Sequence, residues 1–118
     1  MNVTLPLNTK DNDLEVVGGK GRSLSKLIQA GFRVPNGFHI PTDTYRRFVI
    51  DNNIKDQIIA LAKPRIANGL LSFEQASVEI GKLFQDCEMS LDQRDAITKA
   101  YNGLSEKSFV AVRSSANA

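Results

Sequence analysis

The sequence of 118 residues has a single cysteine, Cys87, and its apolar stretches, such as 109–112, are only a few residues long. One cysteine cannot form an internal disulfide, which excludes a disulfide-stapled miniprotein and agrees with a reducing compartment. The short apolar stretches exclude a transmembrane helix. The N-terminus also lacks the basic start and the apolar core of a secretory signal. The sequence therefore predicts a cytoplasmic protein with no membrane partner.

The net charge is only +2, which is too small to indicate a nucleic-acid partner. The charge is unevenly distributed, because residues 20–47 carry +5 while residues 1–19 and 48–107 carry −2 each and residues 108–118 carry +1. Basic side chains thus collect around one glycine-rich loop. Two interpretations fit this pattern: an anionic ligand or partner, and a solvated surface of mixed charge.

No internal repeat or low-complexity linker interrupts the chain, and its composition, 42% hydrophobic and 24% charged, is that of a single globular domain over residues 1–118. Apolar spacing predicts an α+β fold, mostly helical with a small sheet. The predicted helices lie at 22–30, from about 42, at about 53–63, from about 73, and from about 91 to 102. The predicted strands lie at 2–7, 38–40 and 108–112. The apolar run 109–112 is typical of a strand that is buried on both faces.

The same spacing predicts which side chains are buried and how two helices begin. The first residues of the last two helices, Ser72–Gln75 and Ser90–Gln93, match a capping box. The predicted core is Leu24, Leu27, Ile28, Tyr45, Phe48, Val49, Ile54, Ile58, Leu61, Ala62, Phe73, Ala76, Ile80, Leu83, Phe84, Cys87, Ile97, Ala100 and Tyr101.

The loop Val17-Gly18-Gly19-Lys20-Gly21 has the components of a phosphate site. Glycines allow close approach of a ligand to the backbone, the next helix would direct free amides at the loop, and Lys20 adds a positive charge. The loop is not a P-loop, because Leu14 and Gly21 stand where that motif needs Gly and Ser or Thr. A plain turn before a helix is the alternative.

Arg113 follows directly on the last predicted strand and is itself followed by two serines. Arginine suits phosphate because its planar guanidinium stays charged and donates in a fork. An ion pair with a local carboxylate is the alternative.

His39 and Cys87 carry weaker signals. No second histidine, cysteine or acidic cluster gives His39 the spacing of a metal ligand, so a hydrogen-bonded structural histidine is predicted. Cys87 lacks a Cys-x-x-Cys partner, so a half-buried helix thiol is predicted. The sequence predicts no metal site among these residues.

Read in order, the motifs resemble the N-terminal part of the phosphoenolpyruvate synthase and pyruvate phosphate dikinase family. Residues 16–48 and 108–118 carry the likeness. It lies in Val-Gly-Gly-Lys-Gly-x-x-Leu-x-x-Leu, Val-Pro-Asn-Gly-Phe, Thr-x-x-Tyr-x-x-Phe and Val-Ala-Val-Arg-Ser-Ser-Ala. The second and last runs are most similar to phosphoenolpyruvate synthases. Rifampicin phosphotransferases and glucan water dikinases share the same opening.

The resemblance implies the N-terminal lobe of an ATP-grasp nucleotide-binding domain. It implies that Lys20 and Arg113 contact the ATP phosphates, with Gly18, Gly19 and Gly21 forming the loop of the same ATP site. We therefore expect these two cations to converge, although 93 positions separate them.

In this family ATP phosphorylates a histidine on a separate swivelling domain, and the phosphate then passes to pyruvate. The resemblance therefore implies that the carrier histidine, the pyruvate site and the magnesium ligands lie outside this chain, so that its partners are ATP and the remaining domains. Residues 1–118 alone are expected to bind ATP weakly or not at all and to be inactive. Two alternatives stay open, a stand-alone non-catalytic binding module and a related phosphotransferase with a drug or glucan acceptor.

Overall fold

A computed structural model describes residues 2–104 and 109–117 and shows an α+β chain in which helices dominate. The helices are α1 Leu14–Gln29, α2 Thr42–Asp51, α3 Lys55–Leu61, α4 Glu74–Gln85 and α5 Leu91–Asn102. The strands are β1 Leu5–Pro6, β2 Phe38–His39, β3 Arg65–Ala67 and β4 Leu70–Ser72. They form two antiparallel pairs, β1 with β2 and β3 with β4. None of the helices in the described part of the chain is both long and apolar enough to cross a membrane.

The chain divides into two compact units, with one boundary within α2 and the other just before α5. The first unit combines Met1–Arg46 with Leu91–Ala118, and the second is Arg47–Ser90. The first therefore contains the paired strands β1 and β2 together with α1 and α5. The second contains α3, α4 and the pair β3–β4.

Buried polar side chains join separate segments of the first unit. The Thr44 hydroxyl donates to the Val3 carbonyl at 2.8 Å, and the Gln93 Nε2 donates to the Thr44 carbonyl at 3.0 Å. Both side chains are almost completely buried. Buried polar groups are stable only when they are hydrogen-bonded. These bonds therefore fix the N-terminal segment, the start of α2 and helix α5 in one arrangement.

The second unit has a small apolar centre. Val49, Ile54 and Ala76 are buried there, and the rings of Phe48 and Phe84 stack with centroids 5.4 Å apart. Asn52, next to them, donates through Nδ2 to the carbonyls of Phe48 and Glu88, at 3.0 Å each. The end of α2 is thereby joined to the segment that follows α4.

The hairpin β3–β4 is a feature that the sequence reasoning missed. Asn68 and Gly69 turn the chain with φ of 52° and 78°. Two positive φ angles are what a tight hairpin turn needs, and Asn-Gly is its strongest sequence signal. Both Arg65 amino groups contact the Glu79 carboxylate, at 3.0 and 2.8 Å, which ties the hairpin to α4 and lowers the pKa of Glu79.

Three expectations about elements need correction. Helix α1 begins at Leu14 and not near Arg22, because helical turns precede as well as follow Gly18. The segment 109–112 is not a strand, and Phe109 and Val112 are 104% and 90% exposed. A strand needs a neighbour for its amides and carbonyls, and no described strand pairs with this run. Residue 108, which the prediction also assigned to the sheet, lies outside the described residues.

The third correction concerns the first capping box. The Ser72 hydroxyl accepts from the Glu74 amide at 3.1 Å, but Gln75 donates to Glu79 and does not reach back towards Ser72.

The predicted core includes the buried residues but also some that are exposed. Val49, Ile54 and Ala76 are buried as expected, and most of the remaining residues are half-buried. Short amphipathic helices bury only a narrow stripe, and spacing alone does not show where the stripe stops. The exposed exceptions are Leu27, Tyr45, Ala62, Phe73 and Tyr101.

We predict that Phe84→Ala destabilises the protein by about 2 kcal/mol. A fully buried phenylalanine would cost about 3–5 kcal/mol. Phe84 is half-buried and stacks on Phe48, so its removal should cost less. The matched control is Phe73→Ala, since Phe73 is 60% exposed and should cost less than about 0.5 kcal/mol. Urea unfolding measures both, and equal losses would contradict this assignment of the core.

Candidate functional site

The glycine loop lies at a break inside α1. Gly18 has φ 72° and ψ 175°, so the helix stops there and starts again in the next residues. The first amides of a helical segment have no partner within it. The loop 17–21 therefore presents backbone amides that must bond to something else.

The chain itself supplies these partners, from a segment almost a hundred residues further on. The Gly21 amide donates to the Ser115 hydroxyl oxygen at 3.1 Å, and the Ser115 hydroxyl donates to the Val17 carbonyl at 2.8 Å. The Gly19 amide donates to the Ala116 carbonyl at 2.8 Å. We call this set of bonds between loop 17–21 and residues 115–116 the serine latch.

Gly18 permits the closest contact in the serine latch. A Cβ atom placed on Gly18 would lie 2.3 Å from the Ser115 Oγ and 2.4 Å from the Ser115 carbonyl oxygen. Both distances are far shorter than a carbon atom tolerates. Gly18 is thus required twice, for its positive φ and for the space that a side chain would fill.

Gly21 packs closely against the strand pair β1–β2. A Cβ on Gly21 would lie 3.2 Å from two atoms of the His39 ring. His39 stands on β2, which pairs with β1 through the register Leu5 to His39. The loop therefore has the segment 115–116 on one side and the His39 ring on another.

His39 is buried and hydrogen-bonded, as the structural interpretation predicted. Its Nε2 lies 3.0 Å from the Ser25 Oγ, and the Ser25 hydroxyl donates to the Leu7 carbonyl at 2.6 Å. Since that hydroxyl proton is directed at Leu7, the His39 Nε2–H is the donor to Ser25. Burial lowers the pKa of His39, so the ring is neutral at pH 7.

The backbones that carry the two predicted phosphate contacts meet at the serine latch. Lys20 lies between the two glycines whose amides bond to residues 115 and 116, and Arg113 lies two residues before Ser115. Both side chains are exposed. The structure differs from the expectation at the amides, since those of Gly19 and Gly21 are bonded within the protein. Sequence reasoning gave Ser115 no role, and the pair of serines after Arg113 was the available signal.

Metal ligands do not gather in the described residues 2–104 and 109–117, where no group of three or more His, Cys, Asp and Glu side chains could hold an ion. Cys87 is half-buried just beyond α4, and its thiol donates to the Leu83 carbonyl at 3.2 Å.

The sequence of this chain is similar to those of known proteins. The family model of the pyruvate phosphate dikinase AMP/ATP-binding domain matches residues 14–118. A probable phosphoenolpyruvate synthase of Methanocaldococcus jannaschii is 38% identical over 113 residues, which are 92% of this chain and 10% of that protein. The phosphoenolpyruvate synthase of Deinococcus radiodurans is 34% identical over 123 residues, covering 100% of this chain and 16% of that protein.

A relative named for a different activity also matches. The rifampicin phosphotransferase of Streptomyces sviceus is 34% identical over 109 residues, which cover 92% of this chain and 13% of that protein. The chain thus spans only 10 to 16% of the length of these three relatives.

We predict that Gly18→Ala destabilises the protein more than Gly31→Ala. Gly31 is the matched control, because its φ is also positive, at 89°, but a Cβ there would meet nothing within 4 Å. Backbone strain alone should cost about 1–2 kcal/mol at either position. The collision with Ser115 should add about 1–3 kcal/mol at Gly18. Urea unfolding measures both variants, and equal costs would show that the loop opens freely away from Ser115.

We also predict that protonation of His39 destabilises the folded state. The folded-state pKa lies below the ordinary value of 6.5, so the unfolded chain binds the proton more tightly. The contribution of neutral His39 to the stability is therefore fully present above about pH 6.5. It is lost as the pH falls from there towards the folded-state pKa. His39→Gln, which does not titrate, should lose less stability than the wild type between pH 7 and pH 5. Since the chain has one histidine, the difference between the two slopes isolates this group. Identical slopes would contradict the prediction.

Proposed function

The chain belongs to the family of the pyruvate phosphate dikinase AMP/ATP-binding domain, and from this premise we propose that residues 1–118 are a partial ATP-grasp lobe of a phosphoenolpyruvate synthase-like dikinase. In the proposed reaction pyruvate, ATP and water give phosphoenolpyruvate, AMP and phosphate through a phosphohistidine. The carrier histidine, the pyruvate site and the magnesium ligands belong to parts of the protein beyond these residues. The proposed location is the cytoplasm.

The observation that carries the proposal is the serine latch. It brings the backbone of the Gly18–Gly21 loop against the segment that carries Arg113, although nearly a hundred residues separate them. Lys20 and Arg113 are exposed cations on these two segments. Two cations on adjoining segments favour a ligand of high negative charge, and a triphosphate meets that condition.

The chemistry follows from the positions of the two cations. In phosphoryl transfer, negative charge spreads over the oxygens of the transferred group, and fixed cations stabilise it. We assign Lys20 and Arg113 as contacts of the ATP phosphates, with Gly18, Gly19 and Gly21 as the loop that places them. The described residues form one wall of such a site. Residues 1–118 alone are therefore expected to bind ATP weakly or not at all and to have no turnover.

A second candidate is supported by the match to the rifampicin phosphotransferase of Streptomyces sviceus. In that case the same ATP-binding part would serve a phosphotransferase whose acceptor is not pyruvate. The two candidates share the roles of Lys20 and Arg113 and differ in the acceptor. Assaying the full-length protein with pyruvate and with rifampicin separates them.

We predict that Lys20→Ala and Arg113→Ala in the full-length protein each reduce ATP-dependent phosphorylation of the carrier histidine by at least tenfold. The back reaction of that histidine with phosphoenolpyruvate should keep its rate, because it uses the other active site. Lys26→Ala, which removes an exposed cation from α1 away from the loop, is the control and should leave both half-reactions unchanged. Rapid-quench measurement of each half-reaction provides the test.

Normal rates from ATP in both variants would show that the two residues are structural charges and would refute the assignment. Loss of both half-reactions together would also contradict it, because the substitutions would then act on folding and not on the phosphate contacts.

A further inference from the structure

The segment that carries Arg113 is bonded to the glycine loop at Ser115 and Ala116. Within the described stretch 109–117, every residue is exposed except Ser115, which is half-buried. Its hydroxyl bridges the Gly21 amide and the Val17 carbonyl. The Ala116 carbonyl adds a backbone bond to Gly19. The position of this stretch relative to the loop therefore depends on Ser115.

The hydroxyl uses its donor and its acceptor in the same contact. It accepts from an N–H and donates to a C=O, which only a hydroxyl side chain does at this size. Val17 and Gly21 are both buried, so a methyl group in place of the hydroxyl would leave two backbone groups without this partner. Losing such a partner is costly for buried polar groups. Without the Ser115 hydroxyl, we therefore expect the exposed stretch 109–117 to detach from the glycine loop.

The geometry connects this bond to both cations. Two residues span at most about 7 Å of chain, so Arg113 cannot lie far from the anchored Ser115. Lys20 is adjacent in sequence to both bonded glycines. With the serine latch closed, the backbones of Lys20 and Arg113 have a fixed separation. With it open, Arg113 would have to be ordered again each time a ligand bound, which lowers affinity.

We propose that Ser115 is a positioning residue that holds Arg113 next to Lys20 for the phosphates of ATP; this inference rests on the proposed function. The glycine loop contributes indirectly in this arrangement. Its Gly19 and Gly21 amides hold the protein's own segment 115–116, and the two side-chain cations provide the charge for the phosphates.

The test compares ATP with AMP as probes of the full-length protein in isothermal titration calorimetry. In Ser115→Ala the affinity for ATP should fall about tenfold while that for AMP falls much less, because ATP presents two more phosphates to Arg113 and Lys20. Ser114→Ala is the matched control, since Ser114 is the exposed neighbouring serine and should leave both affinities unchanged. Ser115→Cys keeps a weaker donor and acceptor and should give an intermediate loss.

A double-mutant cycle separates positioning from a general structural effect. If Ser115 acts through Arg113, then adding Ser115→Ala to Arg113→Ala should cause no further loss of ATP affinity. Additive losses, or equal losses for ATP and AMP, would overturn the positioning role. A Ser115→Ala protein with wild-type affinity for ATP would overturn it too.

Amide hydrogen exchange tests the serine latch without any nucleotide. The Gly19 and Gly21 amides should exchange faster in Ser115→Ala than in the wild type or in Ser114→Ala. Unchanged exchange would refute the latch itself. A wild-type protein that binds ATP no better than AMP, with normal protection of these amides, would instead refute the proposed function and leave the latch in place.

Discussion

A hydroxyl group shared between a carbonyl and an amide determines how this site is built. The Ser115 Oγ bonds to both Val17 and Gly21. Val17 precedes the break in α1, and Gly21 follows it. A helix broken at Gly18 leaves a carbonyl and amides that need partners, and one serine with the Ala116 carbonyl satisfies three of these groups. The kink and the latch therefore depend on each other. Without the kink the loop would have no free amides, and without the latch these amides would lack a partner in the fold.

A second set of neutral polar groups lies next to the glycine loop, on the side of the strand pair β1–β2. The His39 ring lies under Gly21, donates to Ser25, and is held through Ser25 to the Leu7 carbonyl. Ser25 is completely buried, so these bonds are protected from water. The antiparallel pairing of β1 and β2 places Leu5 opposite His39 and keeps this arrangement in register. The loop is thus bonded to residues 115–116 and packs against the His39 ring.

The residue pattern predicted the local parts of this site, whereas the expectation that they meet came from the family resemblance. Helical spacing predicted helices α2 to α5. Gly18 and Lys20 indicated a glycine loop with a cation, and Arg113 indicated a second cation that suits phosphate. The role of Ser115 was not predictable, because it depends on a contact between positions 94 and 98 residues apart. The run 109–112 misled for a related reason. Its apolar character fits a buried strand, but a strand exists only where a neighbouring strand pairs with it. The hairpin at Asn68–Gly69 was predictable from its turn residues and was missed.

The neutrality of the serine latch has an electrostatic consequence. Lys20 and Arg113 have charges of the same sign, so these charges cannot bring the two segments together. Had carboxylates held them in ion pairs, the positive charge would be neutralised before any anion arrived. Hydrogen bonds between a hydroxyl and backbone groups join the segments without using either charge. Neutral hydrogen bonds also depend little on salt, whereas the attraction of the two cations for an anion is screened by it. The structure thus separates the interaction that shapes the site from the charges that act in it.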